Sequence, residues 1–192
     1  MIPFETPEIE AQVWKRKKII ERRRWKSHSP VMNYINALKS FYGNVSVPIV
    51  RTDGSEVDVK PYSYWCNYGR EADMYAGAGY GDDSYGIQIG TSDDPFSLSD
   101  YCLHAKISKD YVEYGHTTVE GPVTVEDKKA VAIARTFYNK SPSDFSIKEV
   151  GMVMYSTSAG KYLIFRDVLS SPLLLPVGGG LTLRYIFTVY LP

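Results

Sequence analysis

The chain has 192 residues, with 22 Lys plus Arg balanced by 22 Asp plus Glu. Hydrophobic residues make up 44% and aromatics 14%, including 16 Tyr, which excludes a disordered polyelectrolyte and gives enough apolar mass for a real core. No stretch approaches the ~20 apolar residues of a membrane span, so no membrane partner is expected. The two cysteines cannot make a zinc site by themselves, and Cys66 and Cys102 are expected as free thiols.

Charge is unevenly placed. Lys15, Arg16, Lys17, Lys18, Arg22, Arg23, Arg24 and Lys26 crowd one segment against Glu21 alone. Pro3 and Pro7 suggest an extended arm over residues 1–7. From Thr6 or Pro7 a helix is expected to about Lys26, with Ile9, Val13 and Ile20 on one face and Trp14 and Trp25 flanking it. Glu8 and Glu10 in its first turn suit the helix dipole. Ser29-Pro30 then predicts an N-cap and first turn for a second helix, carried by Val31, Tyr34, Ile35, Leu38 and Phe41 and stopped at Gly43-Asn44. Residues 1–44 thus form a helical docking extension, and 45–192 form the main domain.

From Val45 the apolar period changes to two. Val45, Val47 and Ile49, then Val57 and Val59, predict a hairpin around the Asp53-Gly54 turn. Residues 61–86 show no period and interleave glycines with Tyr62, Tyr64, Trp65, Tyr68, Tyr75, Tyr80 and Tyr85; a loop of this length is usually functional or disordered, and its aromatic content argues against full disorder. Strands are expected at 85–90, 111–119, 123–125 and 129–138, with a helical turn over 97–103. The last third closes with runs at 146–155, 161–169, 173–175 and 181–191, rich in Val, Ile, Tyr and Phe. Gly178-Gly179-Gly180 is read as a mobile turn before the last strand. The fold expected is mainly β: an antiparallel, jelly-roll-like β-sandwich with an N-terminal helical extension.

Signals of chemistry are weak. Gly77, Gly79 and Gly81 miss the dinucleotide spacing and no helix follows them. Asp82, Asp83, Asp93, Asp94 and Asp100 match no calcium loop and fit turns and caps better. Cys102, His104 and Asp100 can be drawn as a nucleophile, base and orienter, but they lie within five residues and need not converge. His28, His104 and His116 are therefore read as structural. No enzyme, metal site or cofactor is expected.

The string GIQIGTSDDPFSLSDYCL over residues 86–103 resembles a pattern found in virion structural proteins of tailed phages and related archaeal viruses. Phe137, Asn139, Ser141, Ile147, Glu149 and Gly151 continue it. Leu163, Arg166, Leu169, Pro172, Val177, Gly180, Leu181, Tyr185 and Phe187 close it. The resemblance covers roughly residues 86–192 and its motifs are structural. It implies a non-enzymatic β-sandwich module, assembled in the host cytoplasm, repeated around a capsid vertex, neck, collar or tail. A homo-oligomer meeting portal, capsid or tail proteins is then expected.

Docking would fall to Trp14, Lys15, Arg16, Lys17, Arg22, Arg23, Arg24 and Trp25, and to the aromatic loop. Two other readings stand beside it. Tyr62, Tyr64, Trp65, Tyr68, Tyr75 and Tyr80 could form a sugar-stacking platform, and residues 13–26 could contact nucleic acid.

Overall fold

The computed structural model describes residues 6–43, 45–59, 75–125, 128–157 and 159–190. The chain runs through β1 (Glu8–Lys15), β2 (Lys18–Lys26), α1 (Met32–Gly43), β3 (Val47–Val50), β4 (Glu56–Val59), β5 (Gly86–Gly90), β6 (Val112–Val125), β7 (Lys128–Asn139), β8 (Phe145–Ser156), β9 (Gly160–Leu175) and β10 (Gly180–Tyr190). The molecule is mainly β. A five-stranded sheet has the order β2-β1-β10-β7-β6, a three-stranded sheet the order β5-β8-β9, and β3 pairs with β4. The pairings within all three sheets are antiparallel.

One apolar cluster draws on all three sheets. Ile9, Ala11 and Val13 enter it from β1, Ile87 and Ile89 from β5, and Leu181, Leu183 and Tyr185 from β10. The long strands β8 and β9 add Ile147, Met152, Phe165, Leu173 and others. Because the closing strand β10 lies between β1 and β7, the two ends of the chain share one sheet. Residues 8–26 are thus built into the body and are not an appendage.

The first helix expected from the sequence is absent. Residues 8–26 form a β-hairpin instead, in which Ile9, Ala11 and Val13 alternate with Glu8, Glu10, Gln12 and Trp14. Burial of that period-two stripe against the core outweighs the thin helical stripe. The second helix is present as α1, starting two residues after Pro30. Pro30 stays extended beside Phe165, with Val31 N–H donating to Ile164 O and Arg166 N–H to Ser29 O. Asn33 ties α1 to β3 by giving its amide to Val50 O (2.7 Å) and accepting from Val50 N–H (2.9 Å).

Three further differences concern continuity. β6 is one strand with two register shifts, where two strands were expected. β9 also runs unbroken through Pro172, because the residues between Val168 and Leu173 bulge out of the ladder with β8. No helical turn forms over 97–103; that segment is turns and bends. Gly178-Gly179-Gly180 is a hydrogen-bonded turn, with Asn139 N–H donating to Gly179 O and Gly178 N–H to Asn139 O.

Candidate interaction site at the N-terminal hairpin

The β1–β2 hairpin carries every residue of the basic segment singled out for docking. Its turn is Arg16-Lys17, with φ of 50° and 64°. Positive φ at both central residues is the geometry that continues the strand twist across a two-residue loop, and Asn-Gly normally supplies it. Here two long cations do so, at a steric cost of roughly 1–2 kcal/mol each.

The two faces of the hairpin differ. On the outer face Trp14 packs edge-on against Tyr138, with centroids 5.0 Å apart, and covers Gly180. A Cβ at Gly180 would collide with the Trp14 ring, so only glycine fits beneath it. Across that face the charges alternate. Arg24 lies 3.6 Å from both Glu8 and Glu10, and Arg184 meets Glu10 (3.3 Å) and Glu120 (3.1 Å). Exposed pairs of this kind contribute under about 1 kcal/mol each, but they cancel much of the local positive field. Lys15, Arg16, Lys17, Lys18, Arg22 and Lys26 make no ion pair among the described residues. Ile19 and Ile20, beside the turn, are exposed.

On the inner face Glu21, Arg23 and Trp25 are half-buried. Trp25 packs on the core cluster, and its buried indole N–H has no hydrogen-bond partner among the described residues. Arg23 pairs with Glu21 at 2.5 Å and donates to Ser171 O (2.7 Å) on the bulge of β9. Between β2 and that bulge lies a cleft of about 760 Å³, floored by Trp25, Leu169 and Leu173. Asp167 lines its inner end and is buried. It accepts from Ser27 Oγ (2.8 Å) and His28 N–H (3.0 Å), which fastens the exit of β2 to β9. Burial pushes its carboxyl above the usual range, against the pull of these hydrogen bonds.

The other candidates are dispersed or lie elsewhere. Tyr62, Tyr64, Trp65, Tyr68 and Cys66 lie outside the described residues. Tyr75 is exposed and joins Tyr85 and Tyr155 in a row of rings with centroids 6.1 and 5.6 Å apart. Tyr80, also exposed, sits apart from that row beside His116.

The carboxylates suspected of binding metal each have a structural partner. Asp82 accepts from Ser84, Asp83 from Lys106, Asp93 from Lys148 and Asp94 from His104. Asp100 meets Arg166. No cluster among the described residues could hold a metal ion. Cys102 does not engage His104, whose ring lies between Asp94 (3.1 Å) and Asp100 (3.2 Å). Burial raises the Cys102 thiol, the opposite of what a nucleophile requires.

Two structural residues escaped the sequence reading. Arg135 is buried among backbone carbonyls, and Arg166, quoted only for the resemblance, is paired inside with Glu149 and Asp100. Their only signal was a charge inside the mainly apolar runs 130–137 and 162–169. Among the described residues no helix is long and apolar enough to cross a membrane. No family model, curated protein or solved structure matches the chain.

Proposed function

We propose that this chain is a non-enzymatic structural module of a virion, forming a symmetric homo-oligomer in the neck, collar, tail or capsid-vertex region. It would meet other virion proteins through its N-terminal hairpin. The observation that carries the assembly reading is the division of charge. The buried ionic groups hold loops to strands, while cations with no ion-pair partner among the described residues and two exposed isoleucines project from one hairpin. We also read the two larger sheets as the layers of a jelly-roll-like sandwich, because both feed one apolar cluster.

The virion assignment rests on the resemblance over residues 86–192. Its residues have scaffold roles in this fold. Glu149 pairs with Arg166, and Asn139 ties Ser141, Ser143 and Leu175 together. Gly151 leaves no room for a side chain against Leu103 and Phe165 O. Light scattering on the purified chain tests the assembly reading. A discrete oligomer is expected, and a monomer at all concentrations that joins no larger particle overturns it.

A second reading is favoured by the exposed Tyr75 at the end of a row of tilted rings continued by Tyr85 and Tyr155. Such rings can stack on a sugar face. Binding on a glycan array that is lost in Tyr75→Ala supports it, and an array with no signal ends it.

A further inference from the structure

The alternation of hydrogen bonds along β2 identifies which backbone groups are free. Ser27 N–H donates to Pro7 O across the hairpin, so this pair is of the bonded type. Bonded and non-bonded pairs alternate in an antiparallel ladder. With the register Ile9↔Trp25, Ala11↔Arg23 and Val13↔Glu21, those residues of β2 face β1. Arg22, Arg24 and Lys26 therefore turn their N–H and C=O groups away from β1. Among the described residues β2 is the edge of its sheet, and no strand lies beyond it.

We propose that this edge accepts an extended strand from another protein, one that alternates carboxylate and aliphatic side chains. Two independent features specify that chemistry. The outer face of β2 presents Arg22 and Lys26, which make no ion pair among the described residues, on either side of Arg24, which already meets Glu8 and Glu10, so acidic residues opposite that face are favoured. The inner face opens on the 760 Å³ cleft, where Trp25, Leu169 and Leu173 form an apolar floor. Alternate side chains of the incoming strand enter that cleft, beside the unpartnered indole N–H of Trp25.

The same edge rejects a second copy of itself. Antiparallel self-pairing centred on Arg24 would set Arg24 against Arg24 and Arg22 against Lys26, and like charges directly opposite are destabilising. This inference deepens the assembly reading by naming the chemistry of a partner, and it rests on that reading only in calling the bound strand an assembly partner. Light scattering reports the oligomer independently of strand binding, so the two can fail separately.

The test uses the full chain and an eight-residue peptide alternating Glu and Val. Amide exchange should slow at Arg22, Arg24 and Lys26, and change little at Arg23 and Trp25, which are already bonded to β1. Peptides N-methylated on one alternation or the other carry equal charge. The one that blocks the edge-facing amides should bind about tenfold or more weakly, and the other should bind like the parent. Arg24→Pro should lose binding, whereas Arg24→Ala keeps the N–H and loses only a few-fold. The proposal is overturned by no binding, by equal binding of both N-methylated peptides, or by a Lys-for-Glu peptide binding as well. Tighter binding of a single-stranded oligonucleotide, with no protection of the three amides, overturns it in favour of a nucleic-acid contact.

Discussion

Arg135 on β7 and Arg166 on β9 are both buried, yet they are neutralised in different ways. Arg166 gives Nε to Glu149 (2.8 Å) and one terminal nitrogen to Asp100 (2.9 Å), and it reaches the carbonyls of Asp94 and Pro95. Glu149 in turn accepts from the N–H groups of His104 and Ala105, so segment 94–105 is fastened to the three-stranded sheet by ions. Among the described residues Arg135 meets no carboxylate. It donates to the carbonyls of Gly79, Asp82, Tyr85, Ile87 and Gly115, and lies 4.9 Å over the Tyr114 ring. Burial lowers it to about 10, a cost its neighbours only partly offset. The difference lies in what each would leave behind. Removing Arg166 strands two buried charges, whereas removing Arg135 leaves only neutral carbonyl dipoles behind.

Arg166→Met is therefore expected to have the largest effect, about 3–5 kcal/mol in urea denaturation, because breaking one side of a buried pair exposes the desolvation cost of the other. The double variant Arg166→Met with Glu149→Gln should recover part of that loss. A double variant no better than the single would mean that packing dominates over stranded charge. Arg135→Met should cost less, roughly 2–3 kcal/mol, the scale of hydrogen bonds to a charged donor. Amide exchange separates the two: Arg135→Met should loosen residues 79–87, and Arg166→Met residues 94–105. Loosening of the same residues in both variants would break the contrast.

Asp167 extends the comparison to a buried anion with no ion-pair partner among the described residues. Its folded-state pKa is raised by burial, so protonation is favoured in the folded chain. The stability it contributes is full below the unfolded value of about 3.9 and is lost as pH rises through the folded value. Asp167→Asn keeps an acceptor for His28 N–H, and its amide can donate to Ser27 Oγ. The variant should be more stable than the parent at pH 8 and lack the decline above pH 4. A parent whose stability instead rises across that window would reverse the sign assigned to Asp167.

The same contrasts explain what the sequence made legible. Val47 and Ile49, the alternation of Lys129–Tyr138 and the run from Leu181 announce their strands, because a pleated surface buried on one side demands period two. The Arg166–Glu149 pair could not be read that way. It depends on a bulge over residues 169–172 that shifts Val168 opposite Glu149, and tertiary packing sets that shift. The cleft beside β2 depends on the same bulge. The hairpin was lost for a local reason. Its strands are separated by Lys15-Arg16-Lys17-Lys18, which holds no Gly, Asn or Asp to mark a turn, and Ala11 is too small to signal the buried stripe strongly.

That turn supports the smallest prediction and ties charge to backbone strain. Arg16 and Lys17 occupy the left-handed region although neither can relieve it with a local hydrogen bond or a missing Cβ. Replacing them with Asn-Gly keeps the two-residue loop between Lys15 and Lys18 and relieves the strain. The variant should gain about 1 kcal/mol, or some 2–4 °C in Tm for a chain of this size. Part of that gain is offset by the entropy Gly adds to the unfolded chain. If the strained cations act on a polyanion, heparin retention should fall in this variant and the Glu-Val peptide should still bind the edge of β2. Equal loss of both would mean that the tip and the edge form one surface. Unchanged retention would mean that the strain carries no binding role.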